Sequence, residues 1–227
     1  MKGPALVRSG LERLVTEQCE NIRGRRVGVL CHHASITQDG TFIVDALRTA
    51  GAEVTRILGP EHGPWGTAQD MIPVDGGTDR WTGLPLVSLY GAEEHSLTPS
   101  PDALRGIEAL VIDLQDVGSR YYTYAQTAAY AVEVAHKLGV ETFVCDRPNP
   151  INGETVEGTP LDPSCASFVG MHPIPQRHGL TLGELVQCYT DGKGQIIRMD
   201  GWKRDMWFED TGLPWVPPSP NMPSINT

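Results

Sequence analysis

The chain has 227 residues, 18 basic and 28 acidic side chains, a formal charge of −10 and 40% hydrophobic residues. That suffices for one full α/β domain with its own core, and the composition is globular rather than disordered. The acidic balance argues against a nucleic-acid face, which needs Lys and Arg opposite phosphates, and no apolar run reaches the ~20 residues of a membrane helix.

Residues 1–8 lack the apolar core of a signal peptide. The five cysteines (Cys19, Cys31, Cys145, Cys165, Cys188) are scattered and form no CxxC pair. The expectation is a reduced, cytoplasmic protein without a zinc ribbon or thioredoxin motif, with Cys31 and Cys145 buried in apolar runs.

Ser9 and Glu12 have capping-box spacing ahead of Leu11, Leu14 and Val15. Strands are predicted at Val27–Cys31, Val54–Leu58, Leu86–Leu89, Leu110–Leu114, Thr142–Cys145 and Ile196–Met199. Between them, Ile43, Val44 and Leu47 form an apolar stripe that stops at Gly51. Ser100-Pro101 is an N-cap with Pro at N1, and an Ala-rich helix over Thr123–Leu138 stops at Gly139. Thr181 and Glu184 open a last helix through Leu182, Leu185, Val186 and Cys188. Strands that are apolar on both faces and alternate with helices predict a mostly parallel α/β sheet covered on both sides. Residues 59–83, 146–180 and the tail from Trp215 read as long irregular loops.

In such a sheet, ligands bind beyond the carboxyl ends of the strands. Those ends lead into His32-His33, Gly59-Pro60-Glu61-His62-Gly63, Tyr90-Gly91, the run Gln115–Tyr124, and Asp146-Arg147-Pro148-Asn149-Pro150. Glu61 is the candidate general acid: a carboxyl group partly desolvated beside glycines would hold its proton near neutral pH. The alternatives are a helix cap or a pair with Arg120. Asp116 reads equally as a second catalytic carboxylate, a hydroxyl ligand or a turn former. Arg120 and Arg147 are fork-shaped donors suited to a carboxylate, unless Asp116 or Asp146 consumes them. Tyr121, Tyr122 and Tyr124 suit sugar stacking, or pack as aromatics at a helix start. His32, His33, His62 and His178 show no metal-ligand spacing, and neither GxGxxG, P-loop nor GxSxG is present.

Eight blocks in order carry a family resemblance: Gly59–Gly63, Thr82–Pro85, Ser88–Gly91, Asp113–Tyr124, Asp146–Pro150, Ser167–Gly170, Arg177–Glu184 and Trp215–Pro223. Together they resemble the NamZ/YbbC family of bacterial exo-β-N-acetylmuramidases, glycoside hydrolase family 171. The resemblance implies a Rossmann-like catalytic domain over 26–214, preceded by a helix and lead-in at 1–25. It implies that 215–227 begins a linker to a second domain lying beyond this chain. It also implies release of non-reducing terminal β-1,4-linked N-acetylmuramic acid from peptidoglycan fragments, without a metal or nucleotide cofactor, with Glu61 at the position of the proposed catalytic residue. Candidate substrate contacts are His62, Arg120, Tyr122, Tyr124, Asp146, Arg147, Asn149, His178 and Asn221. The expected partners are a sugar or muropeptide and a separately encoded C-terminal domain, with neither nucleic acid nor membrane. One departure is Cys31-His32-His33, where relatives more often place an Asn-Pro-Thr turn. The rival functions are a non-catalytic muropeptide-binding module, or half of a split enzyme, and a metal-dependent hydrolase using His32, His62 and Asp116.

Overall fold

β1 (Arg26–Cys31) is the central strand of the sheet, in a computed structural model that describes residues 7–66, 77–89, 97–167, 169–219, 222 and 224. It is flanked by β2 (Glu53–Gly59) and β5 (Ala109–Asp113), with β4 (Pro85–Ser88), β6 (Glu141–Cys145) and β7 (Gln195–Ile197) further out. A two-residue edge strand, β3 (Gly77–Thr78), gives the order β3-β4-β2-β1-β5-β6-β7, and only β3 pairs antiparallel. Without β3 this is the doubly wound Rossmann order: the chain winds outward from β1 through β2 and β4, then returns to β5. All six predicted strands are present. β3 lies in a stretch read as irregular, where two edge residues leave no alternation to detect.

The strand residues divide between two helical layers. Val27, Val29 and Cys31 of β1 join Val111, Phe143 and Ile197 in a core with Leu11 and Leu14 of α1 (Gly10–Thr16) and Ile43, Val44 and Leu47 of α2 (Ile43–Thr49). Leu30, Leu110, Ile112 and Val144 face the opposite layer, formed by Ala125, Ala128 and Val132 of α3 (Tyr124–Lys137) and Leu182, Leu185 and Val186 of α4 (Leu182–Tyr189). Small alanines let α3 lie close to the sheet. All five cysteines are free, and Cys31 and Cys145 are buried as expected.

The start signals resolve individually. Thr181 and Glu184 form both bonds of a capping box on α4. Ser9 caps α1, but the Glu12 carboxylate turns away to accept from the Gln38 amide, 3.2 Å. Ser100-Pro101 opens a 3-10 turn, Pro101–Leu104, rather than an α-helix. Gly51 and Gly139 both adopt positive φ, 96° and 69°, just past α2 and α3.

Candidate functional site

The crevice where the winding reverses lies between the ends of β1 and β5. A dinucleotide-binding domain keeps it open with a glycine-rich turn; here it is filled. His32 is fully buried, and its Nε2 accepts the Gln115 amide at 3.0 Å. Burial, aided by nearby His33 and Arg147, pushes its pKa well below the ordinary histidine value, so the ring is neutral. With its lone pair committed to Gln115, His32 is a poor metal ligand, and the described residues contain no group of three or more His, Cys, Asp or Glu placed to hold a metal ion.

The polar site sits one strand over. Pro60–Gly63 makes a turn closed by the Gly63 amide on the Pro60 carbonyl, 2.9 Å, with His62 in left-handed backbone at φ 68°. A positive φ at the third position is the mark of a type II turn, and it presents Glu61 at the second. Glu61 is half-buried, and α3 holds it twice. The Thr123 hydroxyl donates to its Oε2 at 2.7 Å, and the Tyr124 hydroxyl donates to its carbonyl at 2.9 Å. The Glu61 carboxylate thus lies at the start of α3, held by a hydroxyl instead of an Arg120 pair.

A second device crosses the same rim. Pro217-Pro218 offers carbonyls without amide donors, and three donors converge on them. His33 Nε2 meets the Pro217 carbonyl at 2.6 Å, while Tyr122 donates to the Pro218 carbonyl at 3.0 Å and the Tyr124 hydroxyl, whose single proton is shared with the Glu61 carbonyl, lies 3.2 Å from it. Ser219 Oγ lies 3.4 Å from His62 Nε2. His33 in turn rests on Gly66, where a Cβ would fall 2.3 Å from its Cε1. The described part of the 215–219 stretch is therefore packed onto the site.

Several expected site residues serve the scaffold. Tyr124 is fully buried, which removes it as a stacking platform, and half-buried Tyr122 lies 4.5 Å from it, ring to ring; Tyr121 is the exposed member, at 56%. Burial raises the Tyr122 hydroxyl well above its ordinary value, reinforced by the neighbouring Tyr124 hydroxyl. Asp116 is buried; its Oδ1 accepts the Gly118 amide at 2.7 Å and faces His178 Nε2 at 3.5 Å. It is the turn former of the three readings, closed off from a sugar. His178 Nδ1 accepts from the Leu180 amide, which assigns the ring proton to Nε2, toward Asp116.

Arg147 is corrected most sharply. Its fork closes on Asp113, Nε to Oδ1 at 2.6 Å and Nη2 to Oδ2 at 2.7 Å, with Nη2 also on the Ile36 carbonyl. Neither Asp116 nor Asp146, the partners weighed from sequence, is involved. The pair is buried, and the guanidinium's charge is matched by the Asp113 carboxylate instead of being presented to solvent. Burial pushes the Asp113 carboxyl up and the guanidinium opposes it. Asn149 is likewise internal, its Nδ2 on the Leu180 carbonyl and its Oδ1 on the Ile151 amide. Asp146 accepts the Gly183 amide at the start of α4, 2.8 Å, and burial lifts its pKa to about 6. Arg120 keeps a half-exposed guanidinium whose Nη1 donates to the Thr159 and Ile174 carbonyls. Asn221 and the Tyr90-Gly91 pair lie outside the described residues.

Sequence reading passed over Thr123 and the proline carbonyls. Thr123 sits inside a quoted block at a helix start, so its type and place were visible, but its partner 62 residues away was not.

A doubly wound sheet that plugs its nucleotide crevice and lifts a carboxylate on a turn at the strand ends defines a Rossmann-like domain with a polar rim site. Residues 27–226 match the family model described as exo-beta-N-acetylmuramidase NamZ, N-terminal, and the chain belongs to that family. It is 40% identical to the peptidoglycan beta-N-acetylmuramidase NamZ of Bacillus subtilis (strain 168), over 97% of this chain and 54% of that protein. Crystal structures of two DUF1343 family proteins from Bacteroides fragilis are similar. One has a TM-score of 0.86 at 35% identity, over 97% of this chain and 57% of its own; the other has 0.78 at 28%, over 98% and 59%. The chain spans about half the length of these relatives.

Proposed function

We propose that this chain forms the Rossmann-like part of an exo-acting β-N-acetylmuramidase, with Glu61 as general acid, releasing non-reducing terminal β-1,4-linked N-acetylmuramic acid from peptidoglycan fragments. One observation carries the reading: at the strand ends of a chain of this family, a half-buried carboxylate is presented on a tight turn with one oxygen anchored by Thr123.

With Oε2 on Thr123, Oε1 faces the glycosidic oxygen and delivers the proton as the C1–O bond breaks. Most glycosidases supply a second carboxylate. Asp116 is closed away, so the 2-acetamido oxygen of the substrate closes on C1 instead, expelling the protonated leaving sugar. Water then attacks C1, reopening the ring formed by the amide, and gives its proton to the Glu61 carboxylate. Arg120 is the rim cation left for the lactyl carboxylate once Arg147 is consumed by Asp113.

The test is release of free N-acetylmuramic acid from the MurNAc–GlcNAc disaccharide. Release by the wild type, reduced in Glu61→Gln by a factor of 10² to 10⁴, supports the acid role. Equal release by both proteins removes Glu61 from the chemistry. Disaccharide binding without release by either makes this chain a glycan-binding half that needs the remainder of its relatives' length.

A further inference from the structure

A cleft of about 380 Å³ opens beside the rim, walled by Ser119, Ile151, Glu157, Gln176, Arg177 and Trp207. Three of these residues are tied together by their backbones, Arg177 being bridged on one side to Ser119 and on the other to Glu157. The plate of the cleft is Trp207, which is 45% exposed although its neighbour Phe208 is buried. The Arg177 guanidinium lies over the indole, 5.6 Å from the ring centroid.

We infer that this cleft is a saccharide subsite that holds an N-acetylglucosamine unit of the glycan left behind after cleavage, an inference resting on the muramidase reading above. The indole supplies the flat apolar surface that the C–H face of a pyranose covers. Ser119, Gln176 and Glu157 supply donors and acceptors around it for hydroxyl and acetamido groups. Charge decides between sugar and peptide stem. Arg177 Nη1 is bonded to the Glu157 carboxylate at 2.9 Å and its Nη2 to the Ile151 carbonyl, so no net positive charge remains for an anionic stem. A neutral sugar loses nothing there.

The position suits the role. The Tyr122 amide donates to the Ser119 carbonyl at 3.0 Å, which closes a tight turn, and Thr123, the anchor of Glu61, follows. Ser119 is therefore within roughly 11 Å of Thr123, Cα to Cα, given the span of a turn plus one residue. A glycan of a few sugars covers that separation.

The experiment is a titration of the full chain, followed through the tryptophan indole N–H resonances, with Trp207 assigned by Trp207→Phe. The probes are the β-1,4-linked N-acetylglucosamine trimer and, separately, the L-alanyl-γ-D-glutamyl dipeptide. The expected result is that the trimer shifts the Trp207 resonance and the dipeptide does not. Trp207→Ala weakens trimer binding about tenfold or more, as truncation of a central aromatic anchor does. Trp81→Ala, at another exposed indole, leaves it unchanged. Three results overturn the subsite: a Trp207 resonance unmoved by the trimer, equal trimer binding by Trp207→Ala, or a shift produced by the dipeptide instead. No turnover is read, so the subsite fails or stands apart from Glu61: release of muramic acid without trimer binding sinks only the subsite, and the reverse sinks only the catalytic reading.

Discussion

Past β2, the carboxylate of Glu61 stands half-buried on a turn and takes one side-chain hydroxyl, from Thr123. Past β6, the carboxylate of Asp146 is covered by the start of α4 and takes the Gly183 amide, while Arg147 next to it is locked to Asp113. Both stretches bring the same residue types to the same rim. They differ in what the backbone around them demands. α4 begins directly above β6 and leaves unpaired amides that a buried acceptor must satisfy. The single rigid turn after β2 closes its own hydrogen bond and leaves its carboxylate to a side chain. A charged residue at a strand end is available to a ligand only where the local backbone does not already need it.

The sharpest way to break that comparison is to remove Arg147. Arg147→Ala leaves Asp113 buried beside a hydrophobic core with no counter-charge, a change that costs about 3–5 kcal/mol. Urea denaturation measures it. The double substitution Asp113→Leu with Arg147→Met removes both charges and should recover most of the loss. A single-mutant cost under about 1 kcal/mol would mean that the pair is dispensable and Arg147 is held for a ligand after all.

Asp146 gives the next largest effect, with a sign set by burial. Its carboxyl keeps a proton up to about pH 6 in the folded protein, against 3.8 as the ordinary value. Between those values the folded state binds more protons than the unfolded chain. Stability therefore falls as pH rises through that window and stays lower above it. Asp146→Asn keeps an oxygen for the Gly183 amide and carries no charge to desolvate. It should match the wild type near pH 3 and exceed it by roughly 3 kcal/mol at pH 7.5. Urea midpoints at the two pH values decide it; a variant matching the wild type at pH 3 but less stable than it at pH 7.5 would show that the ionised carboxylate is needed at α4.

The fold was legible because its signals are local. Val27–Cys31 and Leu110–Leu114 are apolar on both faces, which only a strand covered on two sides tolerates, and Thr181 with Glu184 names its own helix start. The rim was legible as a place, since strand ends follow from the strands. Which rim residues stay available was not. Arg147 chooses Asp113, 34 positions away, over adjacent Asp146, because sheet register sets β5 beside β6. Tyr124 looks like a sugar platform in sequence; the helix it begins turns it into the core. The docking of Pro217 and Pro218 joins His33 to a segment 184 residues later, which no local spacing encodes.

Thr123 sharpens the comparison with the smallest change, one hydroxyl. It is the N-cap residue of α3, where loss of a capping side chain usually costs about 1 kcal/mol. Here its hydroxyl makes no cap bond and donates to Glu61 instead. Thr123→Val keeps the shape and deletes only that donor, so stability should change by less than about 0.5 kcal/mol, within the range of substitutions that leave no special feature broken. Glu61 then loses the contact that fixes its orientation. The expected result on muramic acid release is a kcat lower by about tenfold, or 1.4 kcal/mol, with KM unchanged. Thr123→Ser retains the donor and restores the rate, which a purely structural role for the side chain would not require. If Thr123→Val unfolds more readily while its rate per folded molecule holds, the hydroxyl serves the helix, and the turn at Pro60–Gly63 positions Glu61 alone.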